Sequence, residues 1–135
     1  MIPASNLQEA FPEVNPGVVP LGTRVLVQLR TVRNRTASGI VLVDDTKTFN
    51  KVNTQLGKML FIGPLAFRNR NTGEPWPEGQ WAEPGELVRI PKFGGDRFER
   101  QIPGSEDRAL FCIFADHEII AKVDSEAFED IDEIL

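Results

Sequence analysis

The chain has 135 residues, enough for one domain with a modest core but not for two independent ones. Frequent Gly and Pro, nine Phe and no Tyr favour short strands and turns over helices, so the expected fold class is all-β. A formal net charge of −5 leaves no basic excess of the kind that marks nucleic-acid binders, and a single cysteine, Cys112, excludes an intrachain disulfide framework or cysteine metal site.

Residues 1–19 contain Pro3, Pro12 and Pro16 and hold at most one helical turn near Leu7 to Phe11, with Ser5 or Asn6 as cap. They read as an irregular extension, either an arm that packs on a neighbouring chain through Leu7 and Phe11 or a loose leader. Arg24 to Leu29 reads as a strand with Val25, Val27 and Leu29 on one face and Leu26 on the other. Leu56 to Ile62 is a second strand, ended by Gly63-Pro64.

Between these strands lie about 25 residues, longer than connections without a structural or functional reason usually are. Ile40 to Val43 form an apolar run inside a segment otherwise made of Arg, Asn, Thr, Ser, Asp, Lys and Gln, a composition that cannot bury itself. Residues 31–55 therefore read as a mobile loop carrying an apolar plug. An ordinary strand from Gly39 to Val43, bounded by turns at Gly39 and Asp44-Asp45, is the other reading that periodicity permits.

Residues 65–83 are dense in turn formers. Trp76 and Trp81 in this stretch are expected to anchor a Pro-rich loop on the barrel flank, with Arg68 and Arg70 in solvent. The competing reading makes the Trp pair stacking platforms for bases and the two Arg phosphate contacts. Glu86 to Ile90 and Arg97 to Ile102 are further strands, and the wholly apolar Ala109 to Phe114 should be buried on both faces.

Asp116-His117-Glu118 is the one constellation that resembles catalytic chemistry, since it sets the sole histidine between two carboxylates. With no second His, no Ser elbow and no paired Cys to complete it, a surface turn is the better reading, and no catalytic or metal residue is expected. Ile119 to Val123 close the sheet. The last stretch, 124–135, is an acidic extension whose six carboxylates carry more than the whole net charge, with Phe128, Ile131, Ile134 and Leu135 on one helical face. Neither a signal peptide nor a long apolar run is evident, so the default expectation is the cytoplasm.

Four stretches in this order carry a resemblance: Pro20-Leu21-Gly22-Thr23-Arg24-Val25, Gly39-Ile40-Val41-Leu42, Gly57 to Gly63, and Pro84-Gly85-Glu86-Leu87-Val88. Together with Ala109 to Val123, they resemble the GroES-type co-chaperonins over about residues 20–123. The resemblance implies a partly open small β-barrel with a long mobile loop and a roof hairpin, here the 65–83 loop with Arg68, Arg70, Trp76 and Trp81. It implies that Gly39, Ile40, Val41 and Leu42 dock on a GroEL-type chaperonin, which itself binds the ATP; the chain needs no cofactor. It also implies a homoheptameric ring, with Leu21, Val25, Ile119, Ile120 and Val123 at the subunit interface, enclosing an unfolded substrate protein for folding.

The family usually starts near its first strand and ends near Val123. The leader, the enlarged roof and the acidic tail resemble bacteriophage-encoded members more than compact cellular ones. Two other classes remain open: a structural subunit of a virus particle, and a small β-barrel nucleic-acid binder using Arg30, Arg33, Arg35, Arg68 and Arg70.

Overall fold

The computed structural model describes residues 10–30, 55–106, 108–124 and 126. Six strands form one antiparallel sheet: β1 Arg24–Leu29, β2 Leu56–Ile62, β3 Leu87–Arg89, β4 Asp96–Gln101, β5 Arg108–Ala115 and β6 Ala121–Val123. Their order is β4-β5-β1-β2-β3-β6, so β1 lies in the middle with β5 on one side and β2 on the other. This is the all-β, partly open barrel expected, with β4 and β6 as its two ends.

Alternation along β1 gives the sheet its two faces. Val25, Val27 and Leu29 enter the main core with Met59, Val88, Ile90, Leu110, Cys112 and Phe114. Leu26 points the other way, into a second cluster with Ala109 and Phe111. Most of β5 is buried, as its unbroken apolar run predicts. The β1–β2 register slips between Leu26 and Val27, where Met59 and Phe61 face consecutive β1 residues and Leu60 becomes the extra residue of a bulge.

The strand end at Gly63 is set by close packing. A Cβ there would stand 2.5 Å from the Gly22 carbonyl oxygen and 2.6 Å from that of Arg24, both backbone atoms that cannot swing aside. Only glycine permits this approach, and it lets the Gly63 N–H donate to the Arg24 carbonyl at 2.8 Å.

The described part of the leader corrects the expectation of a loose or neighbour-bound arm. Phe11, 5% exposed, packs with Ala10, Leu56 and Leu87, and Val123 of β6 leans on the same cluster. Pro12 offers its carbonyl to Gln28 Nε2 at 2.8 Å, Val14 packs on the Leu26–Phe111 cluster, and Gly17 lies against the Arg100 guanidinium of β4. Residues 10–17 thus form a strap across the outer face of the sheet, from β2 and β3 over β1 to β4. The barrel needs it, because without the strap Leu26, Leu56, Leu87 and Phe111 would present an apolar outer face to water.

Candidate functional site

The expected docking residues Gly39, Ile40, Val41 and Leu42 lie outside the described residues, as does most of the 31–55 loop. What the structure does describe is the stem. Leu29 pairs with Gly57, the Arg30 N–H donates to the Leu56 carbonyl at 3.1 Å, and the Ile90 N–H donates to the Gln55 carbonyl at 2.9 Å. Arg89 Nη2 adds a bond to Gln55 Oε1 at 3.3 Å. Arg30 and Gln55, the described residues that flank 31–54, therefore lie close together on the barrel, at the ends of strands whose inward side chains are fully buried.

The roof loop is built from backbone turns. Arg68 and Pro75 form an isolated antiparallel bridge, the Asn69 N–H donates to the Glu74 carbonyl at 2.8 Å, and the Gly73 N–H donates to the Asn69 carbonyl at 2.8 Å. Trp81 rests on Phe67 with ring centroids 5.5 Å apart, and Trp76 stacks on Trp81 at 6.2 Å with planes 9° apart. Both indoles pack on the main core, as expected of loop anchors. Arg68 and Arg70 are exposed, also as expected.

The turn at Asp116–Glu118, a short 3-10 helix, departs from the sequence reading in one respect. Asp116 is not a surface residue: it is 4% exposed, and its Oδ2 accepts the buried Phe67 N–H at 2.8 Å. Its Oδ1 accepts the His117 N–H at 2.8 Å, while Arg70 Nη2 stands 3.8 Å away. Phe67 has φ of 61°, the one non-glycine residue in the left-handed region among those described, a conformation of order 1–3 kcal/mol in cost. Asp116 is thus a clamp that holds a strained residue at the root of the roof loop. His117 is exposed with its Nδ1 3.7 Å from Asp116 Oδ1, and Glu118 accepts the Ala115 N–H at 3.0 Å, so both carboxylates are tied to backbone N–H groups of the turn and its surroundings. Among the described residues no group of His, Cys, Asp and Glu could hold a metal ion.

The expected interface residues divide. Leu21 and Ile120 are 73% and 58% exposed, and Val18 and Val19 join Leu21 as exposed apolar side chains just before β1. Ile119 and Val123 are half-buried, against the main core and the Phe11 cluster respectively. Val25 is a correction: it is fully buried, in a strand already paired on both sides, and has no surface to offer another chain. Ahead of Arg24 the Leu21, Gly22 and Thr23 carbonyls accept the Arg24, Leu65 and Asp116 N–H groups, so what this stretch offers another chain is its exposed apolar side chains.

Sequence reasoning missed Asp116, Phe67 and the Phe11–Gln28 strap. An acidic residue opening a short turn is a signal for backbone capping, and Phe11 between prolines is a signal for burial, but neither names its partner.

The family model Cpn10, chaperonin 10 Kd subunit, matches residues 17–123. The chain is 34% identical over 106 residues to the mitochondrial 10 kDa heat shock protein of Saccharomyces cerevisiae, spanning 78% of this chain and 88% of the relative. The Schizosaccharomyces pombe protein of the same name is 30% identical over 108 residues, 77% of this chain and 86% of the relative. Co-chaperonin GroES of Listeria monocytogenes is 33% identical over 76 residues, 56% of this chain and 72% of the relative. The match begins at Gly17, where the strap ends, and closes at the last residue of β6. This chain belongs to the chaperonin 10 kDa subunit family of co-chaperones, a family of binding proteins and not of enzymes.

Proposed function

We propose that the chain is a lid subunit that caps an ATP-driven chaperonin of the GroEL type and encloses an unfolded substrate protein. The observation that carries this reading is the stem at Arg30 and Gln55: the family match runs across residues 31–54, and the two residues that flank them lie close together on the barrel. Ile40, Val41 and Leu42 in that segment are the docking residues, with Gly39 beside them as the residue type that permits backbone freedom.

Magnitudes require more than one copy. Burying three aliphatic side chains in a partner's groove gains about 1.5–3 kcal/mol each. Ordering a loop costs about 1–2 kcal/mol per residue fixed. One loop binds feebly, whereas several loops on one body bind together with high effective concentration. Weak single contacts also permit release when nucleotide changes the chaperonin, provided the loops have different affinities for its two states.

The copies assemble as a ring, a heptamer in this reading. Supporting it, β6 is an end strand whose far edge has no partner among the described residues, and Val18, Val19 and Leu21 stand exposed before β1. Pairing the segment ahead of Arg24 with Ile119 to Val123 of the next copy covers these apolar groups and removes an open edge. Ile120 is the central contact and Val25 takes no part. Seven chains of 15.1 kDa give a particle of about 106 kDa. Native mass measurement tests this, and Leu21→Ser combined with Ile120→Ser should shift the mass to single chains. An unchanged mass in that variant would refute the interface.

Family membership favours this reading over a virus-particle subunit or a nucleic-acid binder. The relatives are divided between mitochondrial and bacterial proteins, and the buried free thiol of Cys112 suits a reducing compartment.

A further inference from the structure

The roof-loop stretch 71–86 carries four carboxylates, Glu74, Glu78, Glu83 and Glu86, and no lysine or arginine. The two cations of the preceding turn have partners other than these carboxylates. Arg68 Nη1 donates to the Gly73 carbonyl at 3.0 Å, and Arg70 faces Asp116. Glu86 accepts the Glu83 N–H at 2.7 Å and has Lys122 at 3.7 Å. Glu78 is exposed and has no ion-pair partner among the described residues.

Glu78 lines an open pocket of about 470 Å³ whose other walls are Trp76, Pro77 and Trp81. The parallel indoles, backed by Phe67, make a stiff apolar wall with a single uncompensated charge beside it. Indole faces attract cations more strongly than other aromatic rings do. The guanidinium group is the cation whose plane can stack on such a face while its N–H groups donate to a carboxylate; a lysine ammonium is compact, strongly hydrated and cannot stack.

We propose that this pocket binds an arginine side chain of an extended polypeptide segment, with the guanidinium over the indole wall and donating to Glu78. Glu74 and Glu83 steer such a segment inward by their charge. The site is contained in one chain, so it requires neither a ring nor a chaperonin.

The two tryptophans of the chain are both in the pocket, so intrinsic emission reads its occupancy. The full chain is titrated at low ionic strength with a Gly-Arg-Gly-Arg-Gly peptide and with versions carrying Lys or Glu in place of Arg. Expected are a saturable emission change with the arginine peptide, weaker binding of the lysine peptide and no response to the glutamate peptide. Glu78→Gln, at an exposed position that leaves the fold intact, should weaken arginine-peptide binding about threefold to fivefold. No saturable change, identical curves for the arginine and lysine peptides, or an arginine curve unmoved by E78Q would each overturn the proposal.

Discussion

Replacing Asp116 with Ala removes the acceptor for two backbone N–H groups, of which that of Phe67 is buried. Leaving such a donor unsatisfied costs about 1–3 kcal/mol. The loop could instead relax Phe67 out of its left-handed conformation, but that would pull the ring from under Trp81 and forfeit buried aromatic contact of similar size. Either way D116A should lose about 2 kcal/mol from a total that for such domains is about 5–15 kcal/mol. Asn retains one carbonyl oxygen, so D116N should lose roughly half as much. In urea, at fixed protomer concentration, a slope of about 2 kcal/mol per molar turns the Ala loss into a midpoint lowered by about 1 M. Tryptophan emission of folded D116A should also shift to the red as the roof loop loosens. A midpoint within about 0.2 M of the parent, with unchanged emission, would refute the clamp.

Phe11→Ala should cost about 3 kcal/mol in the same assay, because Phe11 is a buried member of the strap cluster; a loss under about 0.5 kcal/mol would restore the reading of a loose leader. Burial pushes the Cys112 thiol up to about 11 from the ordinary 9.0, so it should resist alkylation at pH 8 until the chain is unfolded in urea. The unfolded thiol ionises first, so its contribution to stability is intact below about pH 9 and declines between pH 9 and 11. Rapid labelling of the native chain would contradict this burial.

The parts of the fold that sequence made legible are those with a strict period. Alternation along β1 placed Val25, Val27 and Leu29 opposite Leu26, and the unbroken run of β5 marked a strand covered on both sides. The strap was not legible, since residues 10–17 have no period and their packing depends on the outer face of a sheet that forms from distant segments. For the same reason Val25 read as an interface residue. Its position in a resembling motif was visible, but the two neighbours that bury it, β2 and β5, are set by topology. Asp116 read as surface because Asp beside His in a turn is usually solvated; the Phe67 N–H that draws it inward is 49 residues away in sequence. The roof Trp pair was legible as an anchor, whereas the unpaired Glu78 beside it emerges only once Arg68 is seen on the Gly73 carbonyl and Arg70 near Asp116.

The central claim is that Ile40, Val41 and Leu42 dock this chain on a chaperonin. Co-sedimentation with a GroEL-type chaperonin, with and without ATP, compares the parent chain with a variant in which all three are changed to Ser. The account predicts nucleotide-dependent co-sedimentation of the parent and its loss in the variant, with the mass of the free assembly unchanged. Equal binding by both chains, or none by the parent in either nucleotide state, would contradict it.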